Sequence, residues 1–232
     1  ISSVIPALLW GVAFANIVRG VPIKMSADGN LEYVGGFFNL LNPYALLGGV
    51  VTLTVFLTHG AIFLSLKTVG GIREQARNFA IKIGLVAAVS AVSFLVWTNL
   101  MLPELNANVL VLSTVVALAW VAGLLATLKV REGWAFIFSA VAIATFVADL
   151  FYALYPRVMP SSLGTQFDLT ITNASSTQYT LKVMTIVAVI MTPLVLIYQG
   201  WTYWVFRKRV GASQILHPER GVLDTATHIL HQ

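Results

Sequence analysis

The sequence contains no cysteine, and this absence removes disulfides, Cys-zinc sites, iron–sulfur clusters and any thiol nucleophile from the chain. It leaves the compartment open, since a Cys-free chain fits either side of a membrane. Charge is scarce as well. Only 10% of the 232 residues are Asp, Glu, Lys or Arg, whereas soluble domains carry roughly 25%. So few charges could not cover a soluble globule, and a disordered chain would show the opposite balance. No Walker loop, HExxH, GxSxG or dinucleotide fingerprint is present. The chain also lacks an initial Met and the basic start and small-residue cleavage site of a signal peptide. It opens at Ile1 inside apolar sequence, so the expectation is a piece of a longer protein without its upstream helices.

Apolar residues are abundant, at 58%, with a mean hydropathy of +0.84. The class that fits is an all-α polytopic membrane protein. Runs long enough to cross about 30 Å of hydrocarbon lie near 1–18, 43–66, 80–102, 109–128, 134–155 and 181–206, giving about six spans. The breaks between them hold Pro, Gly, Asn and charge. Residues 1–209 therefore read as one transmembrane bundle and 210–232 as a tail.

Counting basic residues gives an expected orientation. Ten of the fourteen lie in 67–82, 129–133 and the tail from Arg207, whereas only Arg19, Lys24, Arg157 and Lys182 lie in the alternate connections. The first set is expected to face the cytoplasm, tail included, and the loops 19–42, 103–108 and 156–180 to face outward. The net charge of +5 is thereby assigned to membrane edges, and nucleic acid is not expected as a partner. Trp10, Trp97, Trp134, Tyr155, Trp201, Tyr203 and Trp204 lie near the expected span ends, where amphipathic rings suit the headgroup level.

Two ionisable groups fall inside spans, where an unpaired charge costs about 2.5–3.5 kcal/mol on insertion scales. His59 is eight residues before Lys67, roughly 12 Å from the cytoplasmic edge. Thr52, Thr54, Thr58 and Ser65 are nearby hydroxyls. The alternatives for His59 are a proton relay, a haem ligand, or a neutral imidazole hydrogen-bonded to a neighbouring helix. Bis-histidine ligation fails on counting, because His217, His228 and His231 are all in the tail. A His/Met pair would need Met101, Met184 or Met191 to face His59.

Asp149 lies roughly 9 Å below the outer end of its span. Ala140, Ala144 and Ala148 form a small-residue stripe on the same helix, expected to admit a neighbouring helix closely. The carboxyl reads either as a proton-path group or as a structural acid. The loop 156–180 carries nine Ser/Thr. Within it, Ser175 and Gln178 match a capping box opening the last span, and Asn173-Ala174-Ser175 is an incidental glycosylation match.

Several word-like stretches, in order, resemble subunit II of the cytochrome bd quinol oxidases. They are Trp10-Gly11-Val12-Ala13-Phe14 with Asn16, Gly20-Val21-Pro22, and Phe37-Phe38 followed by Leu40-Leu41-Asn42-Pro43. His59-Gly60-Ala61 leading into Leu66-Lys67-Thr68 continues the series. Next come Tyr155-Pro156, Met159-Pro160-Ser161-Ser162, and Leu169-Thr170-Ile171 with Asn173-Ala174-Ser175-Ser176. Thr180-Leu181, Met184-Thr185, Pro193, Tyr198, Trp201 and Tyr203 complete it. The likeness runs from Trp10 to about Arg209.

This resemblance implies a nine-helix subunit, of which the six helices here form the C-terminal two-thirds. It also implies a bacterial plasma-membrane heterodimer with a subunit I carrying two b-type haems, a d-type haem and the quinol-oxidising loop. Subunit II would ligate no haem, support its partner, contribute to a cytoplasmic proton route and, in some members, hold a quinone or lipid. A small accessory subunit is compatible with it. The acids usually assigned to the proton route belong to upstream helices, so the resemblance gives His59 and Asp149 no role. The expected function is thus the haem-free subunit of a quinol:oxygen oxidoreductase, with no catalytic residue of its own. The alternatives are a secondary transporter with a midplane site near Gly48-Gly49, Pro193, His59 and Asp149, and a purely structural assembly subunit.

Overall fold

The computed structural model describes residues 2–101 and 107–205. The expected tail, with His217, His228 and His231, lies outside the described residues, as do the final residues of the third and sixth expected spans. Six helices follow in order: α1 (Val4–Arg19), α2 (Pro43–Lys67), α3 (Gly71–Met101), α4 (Ala107–Leu128), α5 (Glu132–Leu154) and α6 (Gln178–Val205). The last five are long and apolar enough to cross a membrane. With 16 residues, α1 is the short one, about 24 Å at 1.5 Å per residue.

Three-residue connections force α2 to run antiparallel to α3, and α4 antiparallel to α5. Further packing of α2 on α5 and of α3 on α4 closes a four-helix ring, with α1 laid against the outside of α2. Small residues make that last contact. A Cβ on Gly11 would overlap Thr52 Oγ1 and the Gly48 carbonyl, and one on Gly48 would stand 2.6 Å from Ala15 Cβ. Across the same crossing, Thr52 Oγ1 donates to the Ala7 carbonyl at 2.9 Å. Inside the ring, Tyr44 stacks on Phe94 at 4.7 Å and bonds Thr98 Oγ1 at 2.8 Å, tying α2 to α3. In contrast, α6 buries no residue against the rest of the described chain.

The two long connections meet at one end of the bundle. A hairpin of β1 (Ile23–Met25) and β2 (Leu31–Tyr33) pairs Ile23 with Tyr33 and Met25 with Leu31. A second small ladder joins β3 (Arg157–Met159) to β4 (Leu169–Thr170). Val21 bridges Ser161 in parallel, and Ser161 Oγ donates to the Ile23 carbonyl at 2.6 Å. Gly20 allows this approach: its φ is +87°, and a Cβ there would lie 3.0 Å from the Pro160 carbonyl oxygen. Asp168 is buried in the second loop, accepting from the Ser161 amide at 2.7 Å with Arg157 at 3.9 Å. Because these loops touch, 19–42 and 156–180 share one side, as the alternation of spans requires.

Three sequence expectations need correction. α3 begins at Gly71 rather than near residue 80, because its first turns carry Arg73 and Arg77, which bind Glu132 on α5 instead of ending the helix. Hydropathy marks where lipid begins, and the helix extends past that point. The capping box at Ser175 does not form: Ser175 Oγ donates to the Thr172 carbonyl, and Thr177 Oγ1 accepts from the Thr180 amide at 3.4 Å where α6 opens. Finally, Ala144 and Ala148 are exposed. The packed face of α5 is instead Ala135, Ser139, Ala142 and Asp149.

Candidate functional site

Polar groups buried in a bundle this apolar must find partners within it. Most hydroxyls do so locally. Thr54 donates to the Val50 carbonyl, Thr58 to Thr54 and Ser65 to Ile62, so the stretch around His59 offers few free hydroxyls. His59 itself reaches across to α5, with Nδ1 2.8 Å from Ser139 Oγ. Its ring lies on Phe136 at 4.7 Å between centroids. Ser139 also donates to the Phe136 carbonyl at 2.9 Å. The Ser139 hydroxyl can donate either to that carbonyl or to Nδ1, so the tautomer of His59 decides which ring nitrogen donates.

Asp149 is 1% exposed. Ser113 Oγ on α4 donates to its Oδ2 at 2.7 Å, while Oδ1 is buried without a partner among the described residues. Ser113 and Ser139 are the two site residues that sequence reasoning missed. Each is a plain serine in an aliphatic run, so only the facing helix reveals its role. His59 reaches α5 at Ser139, and Asp149 stands on α5 itself ten residues further on, roughly 15 Å away. The structure therefore does not bring the two candidates together.

A further buried acid was also missed. Glu132, 3% exposed at the start of α5, accepts from Arg73 Nε at 2.9 Å and lies 2.8 Å from its Nη2, with Arg77 Nη1 at 4.0 Å. It lies at the end opposite the hairpins, two helical turns from Ser139 along one face of α5. The sequence showed only an acid beside a basic loop.

Among the described residues no three His, Cys, Asp or Glu gather where they could hold a metal ion. A bis-histidine haem site does not form either, since His59 is the one histidine among the described residues. The candidate methionines Met184 and Met191 are exposed on α6. Between α1 and the ring lies a cavity of about 520 Å³ walled by Trp10, Phe14, Val55, Trp120, Phe146 and Phe151. The Trp120 Nε1 proton is taken by the Gly84 carbonyl at 3.0 Å, so nearly all of that wall is hydrocarbon.

The profile of the family "Cytochrome bd terminal oxidase subunit II" matches residues 1–206. "Cytochrome bd ubiquinol oxidase subunit 2" of Bacillus subtilis (strain 168) is 36% identical, over 91% of this chain and 62% of the relative. "Cytochrome bd-I ubiquinol oxidase subunit 2" of Escherichia coli (strain K12) is 34% identical, over 93% of this chain and 65% of the relative. "Probable cytochrome oxidase subunit 2" of Haemophilus influenzae is 34% identical, over 91% and 64%. The chain thus spans a little under two-thirds of the length of the relatives it matches. With the family profile covering all but the last 26 of its 232 residues, and multi-pass helices beneath it, this chain belongs to the cytochrome bd terminal oxidase subunit II family.

Proposed function

We propose that this chain is the haem-free subunit of a quinol:oxygen oxidoreductase in a bacterial plasma membrane, paired with a haem-bearing subunit I. The observation that carries the reading is the family match over 1–206. His59 is the one histidine within the expected spans, too few for a bis-histidine site, which supports placing the b-type and d-type haems in the partner. In the complex, two quinols oxidised to quinones release four electrons and four protons. One dioxygen takes up four electrons and four protons to give two waters, the latter protons drawn from the cytoplasm. When bound, the haems carry the electrons. This chain's own residues pack around the haem subunit, exclude bulk water, and line part of a proton path.

For that path His59 and Asp149 are the candidates, His59 through its imidazole and Asp149 through the Oδ1 that has no partner among the described residues. They are proposed as proton-holding groups on separate levels, and no catalytic residue is assigned. Being roughly 15 Å apart along α5, they do not form the single midplane site that a secondary transporter would use. The hydrocarbon-walled cavity suits a quinone tail or lipid chain. The basic tail is assigned to the cytoplasm, and a small accessory subunit is compatible with the exposed α6.

The test is the reduced-minus-oxidised visible spectrum of the complex purified through a tag on this chain. Haem bands that follow a co-purifying larger subunit are expected. A colourless preparation without a partner overturns the oxidase reading. The relay is tested separately with His59→Ala and Asp149→Asn. Unchanged oxygen consumption and pH profile at full haem content would overturn it.

A further inference from the structure

A buried polar network near the end of α1 is spent on aiming two exposed phenylalanines. Asn16, buried one turn before α1 ends, donates Nδ2 to the Leu40 carbonyl at 2.7 Å and accepts from Asn42 Nδ2 at 2.9 Å through its Oδ1. Asn42 in turn caps α2, its Oδ1 accepting from the Ala45 amide at 2.9 Å. Between these anchors runs a 3-10 turn over Phe37–Leu41. The turn is therefore held back against α1, and it presents Phe37 at 69% and Phe38 at 84% exposure, edge to face at 5.6 Å. An apolar pair fixed this firmly in the open has something to meet.

We propose that Phe37 and Phe38 are a membrane-inserting wedge, seated in the lipid at the boundary between headgroups and acyl chains, which sets the depth of the α1–α2 end of the bundle. The level follows from lengths. α2 has 25 residues, about 37 Å, against about 30 Å of hydrocarbon, so its first turn stands in the interfacial layer. The 3-10 turn joins α2 through Asn42 alone, and the Asn16–Leu40 bond keeps it from rising away from that layer. Trp97 marks the same level, its ring packed edge-on at 5.6 Å against Tyr44 in the first turn of α2.

Lipid rather than protein is the occupant that the chemistry favours. Residues 33–66 contain no Asp, Glu, Lys or Arg, so the segment offers no charge by which a protein partner would be chosen. Tyr33 and Val34 are the exposed apolar residues just before the rings, and Gly35, Gly36 and Asn39 add little more, whereas a specific protein interface needs about 800 Å² per partner. Two rings at the interfacial level are enough for an anchor.

The absence of cysteine makes the test clean within this chain. Phe38→Cys, and separately Phe37→Cys, is spin-labelled in the intact complex in lipid nanodiscs, with the unsubstituted complex as background. The expected result is a nitroxide readily relaxed by oxygen and at least fivefold less by an aqueous nickel chelate. Equal or greater relaxation by nickel places the pair in water and overturns the wedge. A rigid label reached by neither reagent places it in a protein pocket and also overturns it. Because two positions are read, poor assembly of one variant leaves the other to decide.

Discussion

Ser139 on α5 stands 2.8 Å from Nδ1 of His59 on α2 through the same hydroxyl that reaches the Phe136 carbonyl at 2.9 Å. One hydroxyl thereby anchors the imidazole of the one histidine among the described residues. Ser139→Ala should leave Nδ1 without its partner in a half-buried setting, costing about 1–3 kcal/mol. The measurement is the thermal midpoint of the detergent-solubilised complex, with oxygen consumption alongside. If His59 holds a transferable proton, Ser139→Ala should also shift the pH profile of oxygen consumption, whereas a purely structural bond would lower the midpoint and leave the profile in place.

For Asp149 the informative contrast is between its two oxygens. Ser113 satisfies Oδ2 and nothing described satisfies Oδ1. Ser113→Ala would leave both without a donor and should lower the thermal midpoint by the equivalent of about 1–3 kcal/mol. Asp149→Asn keeps the size and can still accept from Ser113, so its stability should stay within about 1 kcal/mol of the parent. A midpoint for Asp149→Asn as low as that of Ser113→Ala would show that the carboxyl makes a contact supplied from outside the described chain.

The membrane spans were legible because long aliphatic runs have one economical place to go. The packing faces were less so. On α5 the stripes Ala140/Ala144/Ala148 and Ala135/Ser139/Ala142 share nearly the same helical spacing, and nothing in the chain itself says which one meets α2 and α4. Asp149 faces Ser113 on α4 from the second stripe rather than the first. The first turns of α3 were hidden for a different reason. Arg73 and Arg77 mark a membrane edge, and the sequence does not show that their partner is an acid some sixty residues later.

That acid supports a third prediction. Glu132→Ala would remove the carboxylate that holds Arg73 and draws in Arg77, leaving two like charges near each other at the start of α3. Breaking a buried pair costs about 3–5 kcal/mol. Here both arginines keep some access to solvent, so about 2–3 kcal/mol is expected after screening. Replacing both main partners, Arg73→Met with Glu132→Met, should recover at least half of the loss, since apolar substitutes avoid the desolvation of the pair. A double-mutant cycle on the thermal midpoint measures this directly, and strict additivity of the two single losses would refute the coupling.

The turn from α4 into α5 holds strain that a single substitution should relieve. α4 ends in a Schellman arrangement: the Arg131 amide donates to the Ala126 carbonyl at 2.9 Å and the Val130 amide to Thr127 at 3.1 Å. The residue at the left-handed position is Val130, with φ +59°, a conformation that suits Gly or Asn and crowds a β-branched side chain. Its isopropyl group is exposed, so little packing opposes its removal. Left-handed strain of about 1–3 kcal/mol, set against the 0.5–1 kcal/mol that Gly loses in backbone entropy, leaves about 1 kcal/mol of net stabilisation for Val130→Gly. Val130→Ala keeps the Cβ and should gain less than half as much. Oxygen consumption should not change in either variant, because the turn lies two helical turns or more from Ser139 along α5. A Val130→Gly midpoint at or below that of the parent would mean that the valine side chain meets a partner surface at this end of the bundle.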